Sequence, residues 1–322
     1  MCIRDRVSCL LTTTSGAIDV FDVGKLVLSG NSISYANGFT VRGGTLVGTV
    51  QYAFGTGTLT LWGGYTPGSA LELRAVNGTA FYPKLNLQIS NLPITINPAG
   101  PGLGDGVTHT ISGTVALNGA TITLSAGALT NPNTPYGLTF STASLANDGN
   151  PTFNINGNGT GTGTMTLSGG VGIGNAGDTH TLTFNGDAYS AAVISGPLSG
   201  GVGILNLAGT TPTISVGSLT GTANAVQVSG TGTYAFNGAS TFTGGVILNN
   251  NAATIIAMTA AGALGTGKVK FNAAATLRLQ NDGDMTFNGG LDTTGSYGGT
   301  IVVSRANEAA TTTTHTLGGA NA

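Results

Sequence analysis

The chain has 322 residues, of which 55 are glycine and only 7% are charged, with a net charge of −2. Glycine in such excess without a three-residue period excludes collagen, and a 40% apolar content patterned in short alternations excludes a disordered polar tract. No Lys or Arg occurs between Lys84 and Lys268, so phosphate neutralisation and a nucleic-acid partner are not expected, and no run approaches the ~18 apolar residues of a membrane-spanning helix.

In chain order, Met1-Cys2-Ile3-Arg4-Asp5-Arg6 does not fit the pattern that follows; it resembles a translated sequencing-adapter remnant, and residues 1–6 are set apart as non-native. Both cysteines, Cys2 and Cys9, fall in the first ten residues, so neither a disulfide framework nor a zinc site is expected. Val7-Ser8-Cys9-Leu10-Leu11 is too short for the apolar core of a signal peptide. Residues 7–97 read as an irregular first part of a β-solenoid, holding nine of the twenty aromatic residues. Pro93, Pro98 and Pro101, ahead of Gly102-Leu103-Gly104-Asp105-Gly106, predict a loop or insertion. Residues 98–322 read as a more regular array, with strands expected around Ile122–Leu124, Ile204–Leu207, Val269–Phe271, Leu277–Leu279 and Ile301–Val303. The chain stops in Gly318-Gly319-Ala320-Asn321-Ala322 without a closing element, which reads as a fragment open at its C-terminal end.

The array rests on a recurring phrase: apolar, small or polar, apolar, Asn or Ser, Gly. It is written Leu26-Val27-Leu28-Ser29-Gly30, Val115-Ala116-Leu117-Asn118-Gly119, Met165-Thr166-Leu167-Ser168-Gly169, Leu182-Thr183-Phe184-Asn185-Gly186, Val226-Gln227-Val228-Ser229-Gly230, Tyr234-Ala235-Phe236-Asn237-Gly238 and Met285-Thr286-Phe287-Asn288-Gly289. Each copy predicts a short strand whose two apolar side chains point inward, then a turn in which Asn and Gly supply positive φ. Successive copies beginning at Leu182, Leu205 and Val226 are spaced by about 22 residues, a solenoid period. The reading is an all-β, right-handed parallel β-helix rich in Gly, Thr and Asn, its hand set by the crossover rule. Coils of about 22 residues give roughly 14 rungs and a rod near 65 Å at the usual strand spacing. Asn249-Asn250-Asn251 predicts a corner where Asn tolerates left-handed backbone geometry and stacks on Asn of a neighbouring rung.

Gly230-Thr231-Gly232-Thr233-Tyr234-Ala235-Phe236-Asn237-Gly238-Ala239-Ser240-Thr241-Phe242-Thr243-Gly244-Gly245, followed by Gly262-Ala263-Leu264-Gly265-Thr266-Gly267, resembles the autotransporter-associated β-strand repeat, best over residues 230–290. The resemblance implies a parallel β-helix in the surface-exposed passenger of a large bacterial secreted or outer-membrane-anchored protein.

Several motifs invite chemistry. Gly262 to Lys268 satisfies most of the phosphate-loop pattern but is followed by Val269 where Ser or Thr holds magnesium, so a glycine-rich turn is expected. Gly169 to Asp178 is similar to calcium-binding nonapeptide repeats, yet supplies a single Asp. Asp282 and Asp284, two apart on a strand, stand about 7 Å apart on one face, a spacing that overlaps inverting glycosidases, with Arg278 nearby; the same residues form an ordinary turn composition. His109, His180 and His315 share the context Thr-His-Thr-Ile/Leu, the second interval close to twice the first. That spacing suggests a longer repeat of about 70 residues and predicts surface or turn histidines, not a metal site. Tyr52, Phe54, Trp62, Tyr65, Phe81 and Tyr82 form either a sugar-stacking ribbon or core and end caps, with core the expected use.

The expected function is a non-catalytic cell-surface stalk or adhesin, extracellular and anchored through a region beyond this chain, without cofactor or metal. Host or environmental surfaces or glycans are its expected partners, and uncapped rungs predict end-to-end self-association. Two alternatives stand beside it: a polysaccharide lyase or glycosidase on the same scaffold, marked by three or more convergent charged groups, and a phage or ice-interacting solenoid, marked by trimeric assembly or a flat threonine ladder.

Overall fold

The computed structural model describes residues 18–20, 24–32, 34–63, 68–100, 102–145, 149–169, 171–173, 180–195, 198–199, 203–209, 213–216, 225–258, 260–294, 298–305 and 313–318. Every regular element among them is a β-strand, and the strand pairings whose register is described are parallel. The chain divides into two compact units, Met1–Gly169 and Gly170–Ala322.

In the first unit the chain alternates between two sheets. The first sheet stacks Ile18–Val20, Phe39–Val41, Thr58–Trp62, Lys84–Gln88, Thr108–Ala116, Tyr136–Leu145 and Gly163–Leu167. The second stacks Lys25–Leu28, Gly44–Gly48, Ser69–Ala75, Asn91–Pro98, Thr121–Ala126 and Thr152–Ile155. A chain that returns to each sheet one rung further on, always in the same direction, winds a parallel β-helix. Leu26, Leu46, Leu71, Ile94, Leu124 and Ile155 partner in series, and the intervals between them lengthen along the chain from about 20 residues to about 30 residues. The later coils are therefore longer than the period read from sequence, and they give this unit fewer rungs than a uniform coil would.

The second unit repeats the plan. Ser190–Ile194, Thr213–Val216, Thr233–Phe236, Thr254–Met258, Thr276–Gln280 and Thr300–Ser304 form its first sheet. His180–Gly186, Gly203–Leu207, Ala225–Val228, Val246–Leu248, Lys268–Phe271 and Gly290–Asp292 form its second. Leu182, Leu205, Val226, Val246, Val269 and Leu291 partner in series at a nearly constant interval of about 22 residues, so the sequence period is here the physical coil. All five strands expected by position from Ile122 to Val303 lie within observed strands.

The interior is built mainly by alternation. In Ala225–Val228 and Thr276–Gln280 every second residue is buried and the residues between are half-buried. Tyr35, Phe39, Phe54, Phe81, Phe140 and Phe153 fill the first unit and Phe184, Tyr234, Phe236, Phe242 and Phe287 the second, each less than 2% exposed. Burying one such side chain is worth about 1.5–3 kcal/mol, and parallel stacking repeats that gain at every rung.

Two local expectations are corrected. The Asn-Gly turn at Asn118 and Gly119 does adopt positive φ, at 43° and 74°. The other copies do not: Gly30, Gly169, Gly186, Gly230, Gly238 and Gly289 and the preceding Asn185, Asn237 and Asn288 lack positive φ. At Gly169 a methyl would overlap the carbonyl oxygen of Ser141 one rung away, so glycine is needed there for close approach and not for its handedness. The proline cluster also differs from the predicted loop. Pro93 and Pro98 belong to strand Asn91–Pro98. Pairing with Ser69–Ala75 begins only at Ile94 and pairing with Thr121–Ala126 stops at Ile96, so each proline sits where one side of the ladder is open and the missing N–H costs no bond. Pro101 lies outside the described residues.

Candidate functional site

The outward faces carry two kinds of side-chain ladder. Along the second sheet of the second unit and the corner that follows it, polar side chains satisfy one another from rung to rung. Asn206 donates to the Thr183 hydroxyl at 3.5 Å, Ser229 donates to Asn206 at 2.9 Å, and Asn250 donates to the Ser229 carbonyl at 3.1 Å. Asn272 donates to Asn249 at 3.0 Å, and the amide of Ala274 donates to Asn251 at 2.9 Å. The expected stacking of Asn on Asn at residues 249–251 is thus present. The left-handed backbone expected with it is absent: Asn249 and Asn251 accept along the rung axis, and Asn250 also accepts from the Ala252 amide at 3.0 Å in a local turn that needs no positive φ.

The first sheet of the second unit behaves differently. Thr213, Thr233, Thr254, Thr276 and Thr300 are in direct register over five consecutive strands. Their neighbours Tyr234, Ile255 and Leu277 are fully buried, so alternation turns Thr233, Thr254 and Thr276 outward, where they are half-buried or exposed; Thr300 is exposed. No hydroxyl of Thr233, Thr254, Thr276 or Thr300 bonds to another described residue. The column in register two residues further along reads Ser215, Ala235, Ile256, Arg278 and Val302. In the first unit Thr110, Thr139 and Thr166 are likewise in register, with Thr108 and Thr164 two residues before them on either side of Gly137.

Ionisable groups converge around Glu72, a residue sequence reasoning passed over. Its carboxylate is 4% exposed and accepts from Lys25 Nζ at 2.6 Å, from Arg74 Nη2 at 2.5 Å and Nε at 2.8 Å, and from Asn97 Nδ2 at 2.8 Å. Burial pushes the carboxyl pKa up, but the Lys25, Arg74 and Asn97 hydrogen bonds outweigh it and hold the pKa below the usual value. Oε1 accepts from Arg74 and Asn97 and Oε2 from Lys25, so both oxygens are held and the group is a clamp between rungs. The available signal was Glu72-Leu73-Arg74: opposite charges two apart on a strand share one face.

The histidines divide. His109 is fully buried inside Thr108–Ala116, contrary to the surface or turn position expected, because alternation along Thr108-His109-Thr110-Ile111 sets it on the inward face, against Phe81. Its Nε2 lies 3.3 Å from the Asn97 carbonyl, its ring meets Phe81 edge-on at 5.7 Å, and its Nδ1 is buried without a partner. Burial pushes its pKa down. His315 has the same surroundings: Nε2 3.2 Å from the Ser304 carbonyl, Phe287 edge-on at 5.9 Å, and Nδ1 buried without a partner. His180 begins a strand of the second sheet, opposite Gly203. Among the described residues no three His, Cys, Asp or Glu come together as a metal site.

The remaining motifs resolve locally. Asp282 and Asp284 lie in the bend between Thr276–Gln280 and Met285–Phe287 and not on a strand, so the one-face spacing does not arise. Asp284 instead accepts from the Thr314 amide at 2.7 Å. Gly262–Gly267 is a turn with Gly265 at φ 67°, and Lys268 opens a strand where a phosphate loop opens a helix. The nonapeptide-like stretch falls largely at 170 and 174–179, outside the described residues. Of the early aromatics, Phe54 and Phe81 are core and pair at 5.6 Å. Tyr52 and Tyr82 stack at 4.9 Å on the surface, and Trp62, 39% exposed, lies beneath the Arg42 guanidinium at 5.1 Å. Tyr65 lies outside the described residues.

No helix of the described residues is long and apolar enough to cross a membrane. The fold and these faces define the chain as a parallel β-helical repeat protein. No family model, curated protein or solved structure matches it.

Proposed function

We propose that the chain is a non-catalytic structural segment of a bacterial cell-surface or secreted protein, serving as a rigid β-helical stalk with adhesive faces. The observation that carries this reading is the pairing of rung-to-rung side-chain bonds, as in Thr183, Asn206 and Ser229, with continuous apolar columns beneath them. Each rung is tied to its neighbours inside and outside, which resists bending, while uncharged hydroxyl and amide groups repeat along the surface and favour weak multivalent contact with surfaces or glycans. The motif at residues 230–290 that resembles autotransporter-associated repeats supports export to the cell exterior. Among the ionisable groups, both carboxylate oxygens of Glu72 are hydrogen-bonded to neighbouring side chains and the aspartates 282 and 284 lie in a bend, which favours this reading over a polysaccharide-processing enzyme.

The test couples the full chain to beads and measures their retention under flow on polysaccharide-coated surfaces, with reducing-end and unsaturated-uronate release followed on the same polymers. Retention without product is expected. Product release above the buffer rate, or no retention on any surface, overturns the proposal.

A further inference from the structure

We infer that the threonine columns on the first sheet of each unit are ice-binding surfaces. Three observations lead there. The hydroxyls of Thr233, Thr254, Thr276 and Thr300, and those of Thr110, Thr139 and Thr166, bond to no other described residue, whereas the Asn and Ser side chains of the corner ladder are consumed by one another. The parallel in-register stacking spaces successive threonines by about 4.8 Å across rungs, and the Thr164/Thr166 and Thr108/Thr110 pairs add a second spacing of about 6.7 Å along the strand. Both are close to the oxygen repeats of a prism face of hexagonal ice. The residue type also matters: threonine is β-branched and stiff at χ1, so each hydroxyl is held at its lattice position before anything binds, and the γ-methyl beside it supplies apolar contact.

The chemistry of the face selects this partner over others. A charged polymer has no counter-charge in the threonine columns; Arg278 in the adjoining column of the second unit is half-buried. A sugar chain is ordinarily gripped by aromatic faces, and the aromatics of these strands, Tyr234, Phe236 and Phe140, point into the core. Ordered water needs neither charge nor stacking, only hydroxyls at a fixed repeat. The inference stands apart from glycan adhesion, since a chain retained on no polysaccharide can still bind ice.

The experiment grows an ice hemisphere from a dilute solution of the fluorescently labelled full chain and measures its partition into the ice, with recrystallisation inhibition read in parallel. The chain is expected in the ice. The variant T139K/T166K/T254K/T276K, checked for native far-UV circular dichroism, is expected to partition at least ten-fold less, while the control Gln227→Lys on the second sheet matches the parent chain. Exclusion of the parent chain from ice, with or without retention on crystalline cellulose, overturns the inference. So does a quadruple variant that binds ice as the parent does, or a control that loses binding equally; if the quadruple variant does not fold, the parent chain's own partition decides.

Discussion

His109 and His315 occupy the same niche in different units. Each lies two residues before an apolar residue, Ile111 or Leu317, that is in register with the phenylalanine its ring meets edge-on, Phe81 or Phe287. Each places Nε2 on a backbone carbonyl and leaves Nδ1 buried without a partner. In these two copies the Thr-His-Thr-apolar phrase forms a packing unit with Nε2 facing a backbone carbonyl, and at His109 a second proton on Nδ1 would have nothing to donate to; His180, in the third copy, opens a strand of the second sheet instead.

Acid should find this weakness at His109. Its folded pKa is depressed by burial, so as pH falls through the ordinary value of 6.5 the unfolded chain takes up a proton that the folded chain refuses, and stability declines with falling pH from there. Urea midpoints between pH 7.5 and 5 are expected to fall in the parent chain and to flatten in His109→Leu. Equal slopes in the two proteins would remove His109 as the cause.

Glu72 adds a second acid-sensitive step at lower pH. Its carboxylate is favoured in the fold, so its contribution is present above the ordinary 4.5 and is lost as pH falls through the lower folded value. Glu72→Gln removes the charge at all pH values and leaves Lys25 and Arg74 facing a neutral amide. Lys25 is half-exposed and can turn to water, so the expected cost is about 1–3 kcal/mol, below the usual penalty for breaking a buried pair. Chemical denaturation at pH 7 measures it, and an unchanged midpoint would show that the clamp contributes nothing to stability.

The alternation of Val226-Gln227-Val228 and its relatives was enough to read strands, inward columns and the length of the second unit's coil, because these depend on neighbours in sequence. What sequence did not reveal depends on register between rungs. Gly169 looks like a turn residue until Ser141 is placed against it, and Pro93 looks like a strand breaker until the ladder beside it is seen to start at Ile94. The Glu72 clamp joins residues from three coils, and the threonine column joins five, so neither is visible in any one window.

The amide ladder at Asn249 and Asn272 should contribute modestly, because both side chains reach water. Asn272→Ala and Asn249→Ala are each expected to cost under about 1 kcal/mol, with a favourable coupling of a few tenths in the double-mutant cycle. Strict additivity of the two losses would mean that the bond at 3.0 Å holds no energy of its own.

A core deletion should act locally, since a rung touches only the rungs beside it. Phe236 is fully buried on Thr233–Phe236, between Val216 of the preceding strand and Ala257 of the following one. Phe236→Ala removes a ring that stacked coils cannot collapse around, a loss of about 3–5 kcal/mol in a well-packed interior. Hydrogen exchange should therefore accelerate in Thr213–Val216, Thr233–Phe236 and Thr254–Met258. Protection in the first unit's strands Leu71 to Ala75 and Ile94 to Ile96 should persist, because their columns are built from other side chains. If both sets of amides lose protection together, the coils unfold as one cooperative block and the nearest-neighbour account of their stability fails.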